Sequence, residues 1–350
     1  MIEKTGIIYS ENADLSNSQT IEQAGEQSSI TIPDYPFGTD LYCKAYCIDD
    51  GIRVESSIEH YMAYDCFYLK NEYSGQNTVT FSGAGNTEYY SKDKVNWTPV
   101  SATSVTMEEG EKLYLRGYNN STYGSHHSLT CSEIYSIGGQ IDGAMNKTLA
   151  SGAYVFQNST TLIDASAAYF GGTDMTSGSC AYMFDGCTNL TSLPDMSRIK
   201  NISSNYFDFA FRNTKATYAD LSSLEEAGNQ ALRGAFYGSK IETISMDNIK
   251  TVGIASLSQC FYSSKLTKGI DLSKITTYNG GQCFYELYRS CSNLYEATYP
   301  PTIDYSNTMT DWLRSAGGNV SGTKTVYCPT GVTVPSGNSG VPSGWTRVDY

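Results

Sequence analysis

Aromatic residues recur at Phe156, Phe184, Phe211, Phe236, Phe261 and Tyr288, separated by 28, 27, 25, 25 and 27 residues. Each is followed by a short polar turn and then by spaced apolar residues, as in MFDGCTNLTSLPDMSRI, AFRNTKATYADLSSL, AFYGSKIETISMDNI, CFYSSKLTKGIDLSKI and LYRSCSNLYEATYPPTI. The apolar triplets are Leu190/Leu193/Met196, Ala216/Ala219/Leu221, Ile241/Ile244/Met246 and Leu266/Ile270/Leu272, followed by Ile199, Leu224, Ile249 and Ile275. A unit this short cannot bury its apolar side alone, whereas stacked units share one continuous core with a short strand per turn. The spacing therefore predicts a solenoid with the aromatic anchors stacked inside it.

That register governs how the cysteines read. Cys187, Cys260 and Cys291 fall at inward or tight-turn positions, so they are expected to be structural. The ten cysteines contain no CxxC pair, and His60, His126 and His127 do not supply the close Cys/His pairs of a zinc site. No metal and no cofactor is expected. Cys43 and Cys47 are four apart and would share one face of a strand.

The pattern of an aromatic anchor, a GC-type turn and L-x-x-L resembles the BspA-type leucine-rich repeats found in proteins of gut Bacteroidota and of their phages. The resemblance covers roughly residues 145–325, with more divergent copies at 200–225 and 285–305. The tail GNSGVPSGWTRVDY resembles the cap that closes such arrays.

The preceding segments alternate in the two-residue period of strands. GIIYS, SITIPDY and DLYCKAYCIDDG resemble the later strands of a fibronectin-III or immunoglobulin-like sandwich. NTVTFSG, TEYYSKDKVNW, TSVTMEEGEKLYLRG and CSEIYSI form a second β-module, with Trp97 expected as its core plug. Low charge (17%) and 29 Tyr favour strands and turns over helices. The expected fold is mainly β: N-terminal β-sandwich-like modules followed by a leucine-rich-repeat solenoid with a C-terminal cap. The expected divisions are 1–65, 66–140, 141–325 and 326–350.

The sequence offers no GxSxG elbow, P-loop or HExxH motif, and Asp49-Asp50-Gly51 reads as a turn, without the ligand spacing of an EF-hand. Glu225 and Glu226 are expected to stand on the repeat surface without a partner. Net charge is −13 and no Lys/Arg cluster is visible, which argues against nucleic acid. The N-terminus lacks the pattern of a secretory signal, so a chain complete at Met1 is not expected to follow that route. No apolar run reaches a membrane span, and no membrane insertion is expected.

The position after each anchor, Asp185, Arg212, Tyr237, Tyr262 and Arg289, is expected to align as one column. So are the exposed strand positions Thr217-Tyr218, Glu242-Thr243, Thr267-Lys268 and Tyr295-Glu296. Ladders of this kind form extended contact surfaces, and Tyr is a favoured contact residue. The expected binding surface is Arg212, Tyr218, Tyr237, Tyr262 and Tyr295. The expected role is non-enzymatic: a phage virion fibre, decoration or receptor-binding protein, exposed on the particle. Its expected partners are other virion proteins or copies of itself, and a host cell-surface glycan or protein. The alternatives are a fragment of a secreted or surface-anchored bacterial adhesin and, after it, a glycan-active enzyme with two distant carboxylates.

Overall fold

The computed structural model describes residues 2–12, 14–27, 40–62, 66–82, 89–94, 96–100, 104–116, 128–141, 153–175, 180–302 and 308–350. The chain divides into two compact units, Met1–Asp65 and Cys66–Tyr350. SITIPDY, His126 and His127 lie outside the described residues.

The first unit is an antiparallel sheet of β1 (Ile2–Ser10), β2 (Gln19–Ala24), β3 (Asp40–Asp49), β4 (Ile52–Glu55) and β5 (Glu59–Met62). Its order is β2-β1-β3-β4, with β5 also on β3. Asp50 and Gly51 between β3 and β4 both have positive φ, the geometry of a two-residue hairpin turn, so the DDG stretch is a turn as expected. Pairing of Tyr9 with Cys43 and Thr5 with Cys47 puts both cysteines on one face, beside Leu41 and Ala45. The other face is polar: Tyr46 donates to Glu22 (2.8 Å), beneath the Arg53 guanidinium (3.7 Å to the ring centroid). Among the described residues, Tyr9, Leu41 and Cys43 form the buried apolar cluster here. A facing second sheet is not among the described residues.

The second unit begins with β6 (Phe67–Asn71), β7 (Asn77–Ser82), β8 (Tyr89–Ser91), β9 (Thr98–Pro99), β10 (Ser104–Met107), β11 (Lys112–Arg116), β12 (Ser128–Cys131), β13 (Tyr135–Gln140) and β14 (Leu162–Tyr169). They form two sheets, β10-β7-β12 and β14-β13-β6-β11-β8-β9, whose inward residues enter one core. That core is filled by Phe67, Leu69, Met107, Leu113 and Tyr135. Trp97 is not its plug. The indole is half-buried and its N–H donates to the Lys94 carbonyl (2.9 Å), because a nearby backbone acceptor holds the ring at the rim.

After β14 the strands are short and parallel. One ladder is β15 (Asp174–Met175), β16 (Asn201–Ile202), β18 (Glu226–Ala227), β20 (Thr251–Val252) and β21 (Thr277–Tyr278). Interleaved with it in sequence are β17 (Tyr218–Asp220) and β19 (Thr243–Ser245). Then β22 (Glu296–Thr298), β23 (Thr325–Cys328) and β24 (Thr346–Asp349) continue the parallel stacking to the end of the chain. This is a β-solenoid, with a 3-10 turn at Leu272–Lys274.

The anchors stack as the spacing predicts. Phe156, Phe184, Phe211, Phe236, Phe261 and Tyr288 lie 5.5, 5.7, 5.4, 5.7 and 5.8 Å apart between consecutive centroids, with near-parallel rings. Trp312 extends the column at 5.9 Å from Tyr288, in a tilted contact that the repeat spacing had not identified. The apolar triplets are buried, with Ile244 half-buried against the same core.

The backbone around each anchor uses an unusual device. Residues with positive φ recur every fourth position: Tyr182 and Gly186; Asn205, Phe209 and Asn213; Gln230, Gly234 and Gly238; Ala255, Gln259 and Ser263. The resulting bends turn alternate N–H groups in two directions. Tyr182, Phe184 and Gly186 donate to Asp208, Ala210 and Arg212 on the next turn (2.9, 2.8 and 2.9 Å). Met183, Asp185 and Cys187 donate back to Cys180, Tyr182 and Phe184 (3.1, 3.2 and 3.1 Å). Left-handed backbone costs about 1 kcal/mol per non-glycine residue. Pairing every amide of a buried segment offsets that cost.

Gly234 (φ +57) is both left-handed and covered, since a Cβ there would overlap the Phe209 ring. Gly234→Ala is expected to destabilise the unit by about 2–3 kcal/mol, from backbone strain plus overpacking. Gly110→Ala, also at positive φ but facing open space, should cost only about 1 kcal/mol. Paired urea midpoints measure the difference.

Candidate functional site

The column after the anchors aligns as expected. Asn158, Gly186, Asn213, Gly238 and Ser263 donate from their backbone N–H to the carbonyls of Asp185, Arg212, Tyr237, Tyr262 and Arg289 (2.7, 2.9, 2.9, 2.7 and 2.8 Å). Its side chains, however, are largely engaged with one another. Asp185 is buried, contrary to its expected exposure, because Arg212 closes over it with two hydrogen bonds of 2.7 Å. That bonding also holds the Arg212 pKa above its ordinary value. Tyr237 and Tyr262 stack at 4.5 Å with 11° between planes, and the Arg289 guanidinium lies 5.4 Å from the Tyr262 centroid. Burial raises the Tyr237 hydroxyl pKa, with Tyr262 adding to the shift.

A second ladder runs beside this column, two residues before each anchor. Tyr154, Tyr182 and Phe209 stack at 5.0 and 5.4 Å, and Arg212 lies 5.2 Å from the Phe209 ring. Arg233 pairs with buried Asp208 (2.8 and 2.6 Å), and Arg289 pairs with buried Glu286. The sequence signal was an aromatic two residues ahead of each of the first three anchors. In later turns Gly, Gln and Glu replace it. Rings stacked this closely cover each other's faces, so the ribbon offers a ligand edges and hydroxyls.

The strand positions form a different arrangement. Glu242, Thr267 and Tyr295 donate to the carbonyls of Thr217, Glu242 and Thr267 (2.8, 3.2 and 2.9 Å), which places these residues on successive turns. The next positions are Tyr218, Thr243, Lys268 and Glu296, of which Tyr218 pairs with Thr243 and Lys268 bridges to Glu296. Tyr218 is 50% exposed and Tyr295 37%. Tyr218 Oη lies 3.2 Å from Ser245 Oγ, and Lys268 Nζ lies 5.7 Å from the Tyr295 centroid and 3.4 Å from Glu296. The structure thus separates the five candidates: Arg212, Tyr237 and Tyr262 belong to the turn ribbon, Tyr218 and Tyr295 to the strand ladder. Glu225 departs from expectation, since Lys250 on the next turn pairs with it (2.9 Å) and holds its carboxyl below the usual range.

Cys187 occupies a position three residues after its anchor. The equivalent residues are Ser159, Thr214, Ser239, Ser264 and Cys291, all buried. Cys187 Sγ donates to the Phe156 carbonyl (3.0 Å) and Cys291 Sγ to that of Phe261 (2.7 Å). Thr214 and Ser239 donate to Phe211 and Phe236 (3.0 and 2.8 Å). The position calls for a small buried donor. Burial pushes the Cys187 thiol up to about 12, so the nucleophilic thiolate is suppressed. Cys187→Ser is expected to be tolerated within about 1 kcal/mol. Cys187→Ala, which leaves a carbonyl without this donor, should cost about 1–3 kcal/mol. In the folded protein this thiol should resist a thiol reagent at pH 8, and a fast reaction before unfolding would contradict the structural role.

Eight of the ten cysteines are buried, and Cys47 and Cys66 are half-buried. Among the described residues no group of three His, Cys, Asp or Glu is placed to hold a metal, and no helix is long and apolar enough to cross a membrane. Comparison with protein-family models, with curated proteins and with solved structures gives no match.

Proposed function

We propose that this is a non-enzymatic recognition protein that presents the solenoid's strand ladder to a cell-surface glycan or protein. The observation that carries the reading is the contrast between the two ladders. On the turn ribbon the aromatic faces stack on each other and the arginines neutralise buried carboxylates. On the strand ladder, Tyr218 and Tyr295 stand exposed at fixed registers above a packed core. Rigid, amphipathic Tyr on a preorganised scaffold loses little entropy on contact.

The finer assignment belongs to the same proposal. The solenoid is a BspA-type leucine-rich repeat closed by a C-terminal cap, and the preceding strands derive from fibronectin-III or immunoglobulin-like modules. The chain serves as an exposed virion component of a phage that infects gut Bacteroidota. Support for these points comes from the repeat motifs and from the uncharged, Tyr-rich composition.

The test applies labelled full-length chain to intact gut Bacteroidota cells and to their purified capsular polysaccharides. Saturable binding is expected, weakened about tenfold or more by combining Tyr218→Ala with Tyr295→Ala and little changed by Tyr237→Phe. Depolymerisation of a bound polysaccharide would overturn the non-enzymatic reading. Mass spectrometry of washed particles tests the location, and absence of the chain from them removes the virion assignment.

A further inference from the structure

Two residues upstream of Thr217, Glu242 and Thr267 stand Lys215, Lys240 and Lys265. Because the former three occupy successive turns, so do the lysines, at a rise of roughly 5 Å per turn, the spacing of neighbouring strands. The backbone amide of Lys240 donates to Thr214, the residue preceding Lys215, which fixes the same register (3.1 Å). Lys215 and Lys240 are exposed and Lys265 is half-buried. Lys215 Nζ donates to Asn189 Oδ1 (2.7 Å). Among the described residues none of the three makes an ion pair, and Glu242, the carboxylate nearest Lys240 in sequence, pairs with neither Lys240 nor Lys265.

Elsewhere the solenoid sets opposite charges on neighbouring turns: Asp185 with Arg212, Asp208 with Arg233, Glu225 with Lys250, and Lys268 with Glu296. A chain with 36 acidic and 23 basic side chains has no shortage of carboxylates to interleave. Three like charges on consecutive turns repel one another, and an anion matching their spacing would relieve that repulsion.

We infer that the Lys215–Lys240–Lys265 column binds an acidic polysaccharide, one that carries a carboxylate or sulfate on each sugar. The inference rests on the recognition reading above and names its ligand class. An extended acidic glycan repeats its charge sugar by sugar and can follow the column along the solenoid. Nucleic acid fits less well. The net charge acts alike on either polyanion, but the stacked rings of the turn ribbon leave few open faces for bases, which a glycan does not need.

The experiment measures binding of full-length chain to fluorescein-labelled polygalacturonate and heparin oligosaccharides at low and at physiological salt. At least one should bind and weaken as salt rises. The combined variant K215Q/K240Q/K265Q should bind about tenfold more weakly, with an unchanged circular dichroism spectrum. K200Q/K250Q, which removes lysines from the column interleaved with Glu225, should bind like the parent. The inference is overturned if neither glycan binds, if both variants weaken equally, or if a single-stranded oligonucleotide binds more tightly than either glycan. If cells or neutral glycans are bound while both acidic probes are inert, the acidic ligand is wrong and the recognition reading stands. If no cell and no glycan binds, both fall.

Discussion

Phe236→Ala is expected to lower the stability of the solenoid unit by about 3–5 kcal/mol, the range for removing a fully buried Phe. Phe236 is wholly buried, with Phe211 at 5.4 Å on one side and Phe261 at 5.7 Å on the other. The substitution therefore removes two ring contacts at once and opens a cavity midway along the column. In a stacked array each turn contacts only its neighbours, so losing an interface weakens coupling between the flanking turns. Hydrogen exchange should show this directly. Amides that cross that interface, Phe236 to Cys260 and Phe211 to Ala235, should lose protection more than those between Phe156 and Met183. Phe236→Leu keeps most of the volume and should cost about 1–2 kcal/mol. Urea unfolding that left Phe236→Ala within 1 kcal/mol of the parent would mean that the column is not what couples the turns.

The anchors were legible in the sequence because one residue type, at one interval, does one job in nearly every turn. Phe184, Phe211, Phe236 and Phe261 repeat with small or apolar residues before them, and the buried triplets follow at fixed offsets. Where the job stays but the residue changes, the signal fades. Trp312 completes the column without the AF or CF context, and Cys187, Thr214 and Ser239 share one donor role across three residue types. The left-handed positions were hidden for a similar reason. Among those in the turns around Phe184, Phe211, Phe236 and Phe261, only Gly186, Gly234 and Gly238 are glycines.

Charge was the least legible feature. Lys215, Lys240 and Lys265 are 25 residues apart, so a linear scan sees no basic cluster, although the turn length equals their spacing. Conversely, Asp185 and Arg212 looked like surface residues of a polar turn. Folding brings them together and buries the carboxylate. The first unit was read as a partial sandwich from its alternation alone. Alternation specifies which face of the sheet is apolar, but not what packs on it.

Arg212→Ala is expected to destabilise the unit by about 2–3 kcal/mol, although Arg212 looks like a replaceable surface residue. Its guanidinium is about a third exposed, and on that account alone the pair would contribute little. The larger effect comes from Asp185, only 2% exposed, which would keep the neutral Gln157 amide (2.9 Å) but lose its counter-charge once Arg212 is removed. A buried carboxylate left without its counter-charge is strongly unfavourable, and the partial exposure of Arg212 brings the expected cost below the 3–5 kcal/mol or so of a fully buried pair. Replacing both residues, Asp185→Leu with Arg212→Met, should recover most of the loss, because the orphaned charge disappears with its partner. A double-mutant cycle should therefore give a coupling energy above about 1 kcal/mol that changes little with salt. Lys250→Ala, which opens the exposed pair with Glu225, should produce no measurable change. If Arg212→Ala were equally silent, Arg212 would be free for a ligand, and the division between a self-satisfied turn ribbon and a contact-ready strand ladder would fail.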